Sequence, residues 1–279
     1  MFESFFNLRV APFQLAPDPR FYFASRGHRH ELAYLKFGVY QQEGFIVVTG
    51  EIGAGKTTLV RTLLGGLDPD RVVAAHLANT QLNEGELLAS ICTAFGVRVP
   101  GPSKALLIGT LEAFFTAVTA GGRRALLVVD EAQNLGKRET EELRMLSNFQ
   151  IGNRALLQSF LVGQPELRYM LASPAMEQLR QRVIASCHLG SLSAEETREY
   201  IEHRLRHAGW DGTPIFDAGA ISAIHVSAGG IPRRINLLCT RLLLGAALAS
   251  RHEVGEVQVA AALDELRFEL GSHPAEVLS

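Results

Sequence analysis

VVTGEIGAGKTTLVRTLL, residues 47–64, joins an apolar run to a segment of helical period through a glycine-rich turn. Its centre, GEIGAGKT, fits GxxxxGK[ST] at every fixed position, and the motif requires a strand before it and a helix after it. The glycines let backbone N–H groups face phosphate oxygens, and the N-terminus of the following helix adds a positive dipole end. The stretch therefore predicts a phosphate-binding loop in an α/β fold, rather than a glycine-rich turn with an incidental lysine.

The chemistry of such a loop assigns ATP and Mg²⁺ as cofactors. We expect the Lys56 ammonium to reach the β- and γ-phosphates and the Thr57 hydroxyl to ligate Mg²⁺. The residues expected to contact the nucleotide are Gly50, Glu51, Ile52, Gly53, Ala54, Gly55, Lys56, Thr57 and Thr58.

A second stretch, ALLVVDEAQNL at 125–135, places two carboxylates at the end of an apolar run. We expect Asp130 to position Mg²⁺ and Glu131 to orient the attacking water. Adjacent residues on a strand point to opposite faces, but a turn at the strand's end lets both carboxylates serve one site. The alternative, two solvated acids at a strand exit, is weakened by the phosphate loop upstream.

Short apolar runs alternate with longer segments of helical period, which is typical of a parallel α/β sheet. The five predicted strands are residues 45–49, 72–77, 125–129, 159–162 and 183–189. The predicted helices between them are 28–42, a segment after Lys56, 84–95, 104–119, 137–149 and 165–172. The sequence thus predicts a three-layer α/β/α domain around a five-stranded parallel sheet.

After Leu192 the strand signals stop and helix signals continue. Ser193 with Glu196 forms a capping box for a helix through residue 207, and Asp217 can cap a second helix. Pro232 suits the first turn of a third helix. A last helix over about 257–269 completes a small all-α domain, followed by a tail at 271–279 that we expect to be loose.

Composition limits the remaining function classes. The net charge of -2 and the excess of acidic residues after position 190 give no basic footprint for nucleic acid. Cys92, Cys187 and Cys239 lie in apolar runs with no CxxC pair, which predicts buried free thiols and a reducing compartment. The longest apolar stretch is far below the roughly 20 residues of a membrane span, so we expect a soluble protein.

The motifs GEIGAGKTT, LLVVDEAQNL, LVGQPEL and GGIPRRINLLCTRLL occur in this order, after an opening FFNLRVAPFQLAPDPRFYF. Together they resemble the ExeA-like (general secretion pathway protein A) branch of the AAA+ ATPases, over the chain as far as about residue 268. The phosphate loop alone indicates only an NTPase, whereas the other patterns are more specific. The resemblance implies a protein that hydrolyses ATP in an AAA+ domain and carries a small helical lid domain after it.

The resemblance also implies roles for three residues outside the two main motifs. Gln164 takes the sensor 1 place, near the γ-phosphate or the attacking water, with a merely polar strand end as the alternative. Arg182, in preference to Arg180, looks like the arginine finger offered to a neighbouring subunit, unless both are exposed helix-end arginines. Arg233 matches the sensor 2 position at the start of a lid helix, where its guanidinium would point toward the phosphates and that of Arg234 would point away from them. The alternative for Arg233 is a purely structural role.

The resemblance further implies the organisation of the chain. We expect residues 1–190 to form the nucleotide-binding domain, beginning with a linker at 1–24, and residues 191–270 to form the lid. By the resemblance, Pro12, Phe13, Pro17, Asp18 and Pro19 lie beside the nucleotide base.

The leading functional hypothesis is an ATP-driven AAA+ machine that serves envelope assembly or export, either type II secretion or exopolysaccharide. The alternatives are a DNA-transaction ATPase like the transposition helpers, which the charge disfavours, and a nucleotide-gated adaptor with weak hydrolysis. We expect a homo-oligomer with a membrane-associated partner and no nucleic acid. Secretion members of the family that it resembles often continue into a membrane span and a peptidoglycan-binding region. The sequence is either a shorter relative or a piece of a longer chain; if it is a shorter relative, we expect a cytoplasmic protein that meets the inner membrane through that partner.

Overall fold

A computed structural model of the chain describes residues 2–16, 18–78, 82–99 and 101–270. These residues divide into two compact units. The sheet unit contains residues 26–50 and 59–189; the helical unit contains the described residues within 1–25, 51–58 and 190–279. Pro17, predicted to lie beside the nucleotide base, and the tail at 271–279, predicted to be loose, lie outside the described residues.

The sheet unit is built on five parallel strands, which lie side by side in the order β2 (Val72–Leu77), β3 (Arg124–Val129), β6 (Leu157–Gly163), β1 (Phe45–Gly50) and β7 (Val183–Leu189). Every residue of β1 and β6 is buried, because helices cover both faces of such a sheet. This is why the strands appear in the sequence as unbroken apolar runs, and the predicted five-stranded sheet is confirmed. The strands of the chain are β1 Phe45–Gly50, β2 Val72–Leu77, β3 Arg124–Val129, β4 Gln150–Ile151, β5 Arg154–Ala155, β6 Leu157–Gly163, β7 Val183–Leu189, β8 Ile215–Phe216 and β9 Glu253–Val254.

The helices lie close to their predicted positions. The segment predicted to run to residue 149 ends three residues earlier, because the chain then enters the antiparallel ladder of β4 with β5. The helices in chain order are α1 Phe2–Phe5, α2 Arg26–Gln41, α3 Lys56–Gly65, α4 Glu84–Ala94, α5 Lys104–Ala120, α6 Lys137–Leu146, α7 Glu166–Ala172, α8 Glu177–Arg180, α9 Ala194–His207, α10 Ala218–Ala228, α11 Pro232–Leu248 and α12 Glu256–Leu270.

In the helical unit the helices begin where the sequence signals place them. Ser193 and Glu196 form the predicted capping box of α9, with Glu196 N–H donating to Ser193 Oγ at 3.2 Å. Asp217 Oδ1 accepts from Ala220 N–H at 2.6 Å at the start of α10. Each side chain satisfies a backbone donor that the first helical turn would otherwise leave unpaired.

The N-terminal segment is held in the helical unit by a buried arginine. Arg204 on α9 donates from Nε to Pro12 O at 2.6 Å and from Nη2 to Gln14 O at 3.0 Å, and its guanidinium lies 4.7 Å from the centre of the Phe21 ring. Burial lowers the pKa of Arg204, because it disfavours the charged form. Phe13 belongs to the apolar core that α9, α10, α11 and α12 form. The segment is therefore an integral part of the helical unit.

The three cysteines are buried free thiols, as predicted. Burial raises the pKa of each thiol, in Cys187 to about 12, which keeps the groups protonated and unreactive. Within the part of the chain that the structure describes, no helix is both long enough and apolar enough to cross a bilayer.

Candidate nucleotide site

The phosphate loop has the backbone geometry that its glycines permit. Gly53 and Gly55 adopt φ angles of +82° and +99°, a left-handed region that side-chain-bearing residues rarely enter. Ala54 N–H donates to Glu51 O at 3.1 Å, which closes the turn. Helix α3 begins at Lys56, so its first N–H groups and the positive end of its dipole lie at the loop.

Lys56 is the principal charged group of this loop. Its side chain is buried, and its Nζ donates to Glu51 O at 3.0 Å. The ammonium is therefore folded back over the loop that the sequence predicts to cradle phosphate. A cation held against left-handed glycines and a helix N-terminus is a donor set that fits the phosphate groups of ATP.

The loop is in direct contact with the first turn of α11. Arg233 N–H donates to Gly53 O at 3.2 Å, and a Cβ atom built on Gly53 would lie 2.4 Å from the Cβ of Arg233. Position 53 thus needs glycine for two reasons, its left-handed backbone and this close approach. The structure brings the predicted sensor 2 arginine to the loop through its backbone; the role of its guanidinium stays a prediction.

The carboxyl ends of the parallel strands define one edge of the sheet, here called the carboxyl edge. The register pairs Thr49 of β1 with Gly163 of β6, and Val129 of β3 with Leu161 of β6. The residues that leave these strands, Gly50, Asp130 and Gln164, therefore reach the same edge. In the chain, β1 leads through Gly50 into the phosphate loop. The strands that precede the acidic pair and Gln164 end at the same edge of the sheet as β1.

The chain turns sharply between the two carboxylates. Glu131 has φ +50°, a left-handed conformation that is uncommon for a residue with a side chain, and its N–H donates to Asp130 Oδ1 at 3.0 Å. Such local strain is found at functional sites, where the surrounding structure holds it. His76 on β2 places Nε2 3.5 Å from Asp130 Oδ2. The turn at the strand end that would let both carboxylates serve one site is present.

Two amides converge on the Glu131 carboxylate. Gln133 Nε2 donates to Glu131 Oε2 at 2.5 Å, and Gln164 Nε2 donates to the same oxygen at 3.1 Å. Gln133 Oε1 also accepts the backbone N–H of Gln164 at 3.0 Å, and a Cβ on Gly163 would approach this oxygen to 2.6 Å. The structure thus joins Gln164 to Glu131. Gln133 was not among the predicted site residues, although it stands in DEAQNL two positions after Glu131.

Because Gln133 ties Glu131 to the end of β6, we predict that Gln133→Ala slows ATP turnover by up to about tenfold and leaves ATP affinity unchanged. The loss corresponds to a hydrogen bond to a charged group that orients the base but does not touch the phosphates. Steady-state turnover and nucleotide titration on the same preparations measure the two effects. Asn134→Ala, at the exposed neighbour, is the control. Unchanged turnover in Gln133→Ala would remove the positioning role.

The two candidate finger arginines have different surroundings. Arg180 is exposed, and its Nη1 donates to Ala172 O at 3.3 Å. Arg182 is half-buried, and its Nη1 donates to the backbone oxygen and Oγ of Ser147 at 3.2 and 3.1 Å. Arg182 therefore has a fixed orientation, and its Nε and Nη2 make no hydrogen bond to a described residue.

The parallel sheet and the phosphate-loop motif are those of the AAA class of proteins. The family model described as an AAA domain matches residues 39–171. General secretion pathway protein A of Aeromonas hydrophila is 40% identical over 266 residues, which cover 94% of this chain and 48% of the relative. The chain belongs to the AAA+ ATPase family that includes general secretion pathway protein A. It spans about half the length of that curated relative.

Solved structures agree with the fold. The ORC2 protein of Aeropyrum pernix, in ADPNP and ADP complexes, has a TM-score of 0.66 at 18% identity and covers 86% of this chain and 68% of its own. The Thermotoga maritima RuvB branch migration motor has a TM-score of 0.55 at 19% identity, with 86% and 67% covered. At this identity the likeness supports an AAA fold and carries no further functional argument.

Proposed function

We propose that this AAA ATPase binds ATP with Mg²⁺ through the phosphate loop and hydrolyses it with Glu131 as the general base. The proposal is carried by the geometry of the phosphate loop around Lys56 and of the turn between Asp130 and Glu131. A buried lysine is folded over a left-handed glycine loop, and a strained acidic pair follows β3, which ends at the same edge of the sheet as β1. Neither feature is needed for the stability of an α/β sheet.

In this proposal each residue acts at a stated atom. The N–H groups of the loop and Lys56 Nζ bind phosphate oxygens, while the Thr57 hydroxyl and the Asp130 carboxylate are oxygen ligands of the kind Mg²⁺ prefers. Mg²⁺ held by these oxygens would supply positive charge against the negative charge that develops on the phosphates. Glu131 accepts a proton from the attacking water, and Gln133 and Gln164 orient its carboxylate.

Arg233 would report the nucleotide state to the helical lid. Its backbone bond to Gly53 means that movement of the loop is transmitted to the start of α11. A guanidinium near the phosphates could then close or release the lid through charge-assisted hydrogen bonds. We propose this coupling as the output of the ATPase cycle.

We further propose that the chain assembles as a homo-oligomer and serves envelope assembly or export with a membrane-associated partner. The support for the export role is the relationship to general secretion pathway protein A, whose name places that relative in secretion. This kinship supports a role in secretion, and the choice between type II secretion and exopolysaccharide export stays a proposal.

The test of ATP binding is Lys56→Ala, measured by titration with a fluorescent ATP analogue in the presence of Mg²⁺. Loss of the ammonium removes a charge-assisted hydrogen bond to phosphate, so we expect affinity to fall at least about tenfold. Lys36→Ala, at an exposed lysine of α2, controls for the loss of one positive charge. Equal affinities in the wild type and Lys56→Ala would refute binding at this loop.

A further inference from the structure

The sheet unit has a second concave site at the opposite end of its strands. A cavity of about 480 Å³ opens beside the residues that begin β2 and β3, namely Val72 and Arg124, and beside Ala155 just before β6. Since β3 has six residues, this site lies about 20 Å from the carboxyl edge. It is therefore separate from the proposed nucleotide site.

Arginines dominate the charge of this cavity. Arg71, Arg123, Arg124 and Arg154 line it, together with the carboxylates of Glu43 and Asp68. Four guanidinium groups against two carboxylates leave a formal charge of +2. In a chain whose net charge is -2, this is a local concentration of positive charge in a concave surface.

Two of the four arginines already have partners. Arg71 Nε lies 3.4 Å from Asp68 Oδ2, and Arg124 Nη1 donates to Val39 O at 2.8 Å. Burial lowers the pKa of Arg124, because a half-buried guanidinium loses hydration. Arg124 is therefore held by the fold, whereas Arg71 is exposed and pairs with Asp68 at the surface.

The other two arginines are unengaged. Arg123 follows the turn after α5, and Arg154 follows the turn between β4 and β5; both are exposed, and neither side chain bonds or pairs with a described residue. Their planar forks match the oxygens of a phosphate group. Tyr40, which is 78% exposed at the end of α2, also lines the cavity and offers a ring face to an organic group.

We propose that this cavity binds a small organic phosphate with two or more negative charges, held by Arg123 and Arg154. The charge of +2 matches such an anion better than a single carboxylate. The volume exceeds that of a bare phosphate and lies in the range of small-molecule sites. A concave site of this size favours a compact ligand over an extended polymer, and the site would be an input to the ATPase that is distinct from ATP.

The test uses inorganic pyrophosphate as the probe and calorimetric titration as the measurement. The parent chain carries Lys56→Ala, so pyrophosphate bound at the phosphate loop does not contribute and the result does not depend on whether ATP binds there. We expect saturable binding, weakened about tenfold or more by Arg123→Ala and by Arg154→Ala, because each removes a charge-assisted hydrogen bond. Arg98→Ala, at an exposed arginine outside the cavity, should change nothing.

A second measurement needs no loop variant. Pyrophosphate is titrated into the otherwise unsubstituted chain with and without Arg123→Ala and Arg154→Ala, and only the binding that these two substitutions remove is assigned to the cavity. Absence of saturable binding in both formats, or equal affinities with and without the two arginines, would overturn the proposal. It would also be overturned if a short single-stranded oligonucleotide, and not pyrophosphate, bound in a manner dependent on Arg123 and Arg154, since the surface would then be a nucleic-acid contact.

Discussion

Glu131→Gln is expected to slow ATP hydrolysis by about 10² or more while ATP still binds. The amide oxygen of glutamine can still accept the hydrogen bonds that Gln133 and Gln164 donate to Glu131 Oε2, so the local geometry is kept. What is lost is the carboxylate that takes a proton from the attacking water. Single-turnover hydrolysis and nucleotide titration on the same preparation separate the two quantities.

The matched control for Glu131→Gln is Glu112→Gln, an identical change at an exposed position of α5. It should hydrolyse ATP at the wild-type rate. Wild-type turnover in Glu131→Gln would remove this residue from the mechanism. Loss of binding in Glu131→Gln would instead show that the carboxylate holds the nucleotide complex together.

The fold was predictable because its signals are local. A strand buried on both faces must be apolar along its whole length, so β1 and β6 are visible as unbroken runs without knowledge of their neighbours. The start of α9 was predictable for the same reason, since Ser193 and Glu196 are three residues apart and bond to each other. The phosphate loop likewise carries its geometry in eight consecutive residues.

The interactions that the sequence did not reveal are long-range or depend on a backbone angle. Arg204 binds Pro12 across 192 positions, and no local pattern distinguishes it from an exposed helix arginine such as Arg206. Gln133 lies close to Glu131 in sequence, but its contact requires the left-handed turn at Glu131 and the missing Cβ of Gly163. Both features depend on how distant segments pack.

The resemblance predicts that Arg182 is an arginine finger for a neighbouring subunit, and the position of Arg182 in the sheet unit limits which nucleotide it can reach. Arg182 immediately precedes β7, at the amino end of a strand whose seven residues span about 23 Å. Asp130 lies at the carboxyl edge, so Arg182 cannot act on a nucleotide bound beside that residue in its own subunit. If Arg182 contributes to hydrolysis, it does so in a neighbouring subunit, and activity per subunit should rise with protein concentration.

Arg182→Ala is therefore expected to lower turnover by roughly 10³ while sparing ATP affinity, because a finger mainly stabilises charge in the transition state. Arg180→Ala, two residues away and exposed, is the matched comparison and should retain activity. Mixing Arg182→Ala with Glu131→Gln subunits is the decisive measurement. At an interface between the two, the intact Glu131 of one subunit meets the intact arginine of the other, so activity that neither variant has alone should return. If mixing restores nothing and activity per subunit is independent of concentration, Arg182 serves only to hold Ser147 at the end of α6.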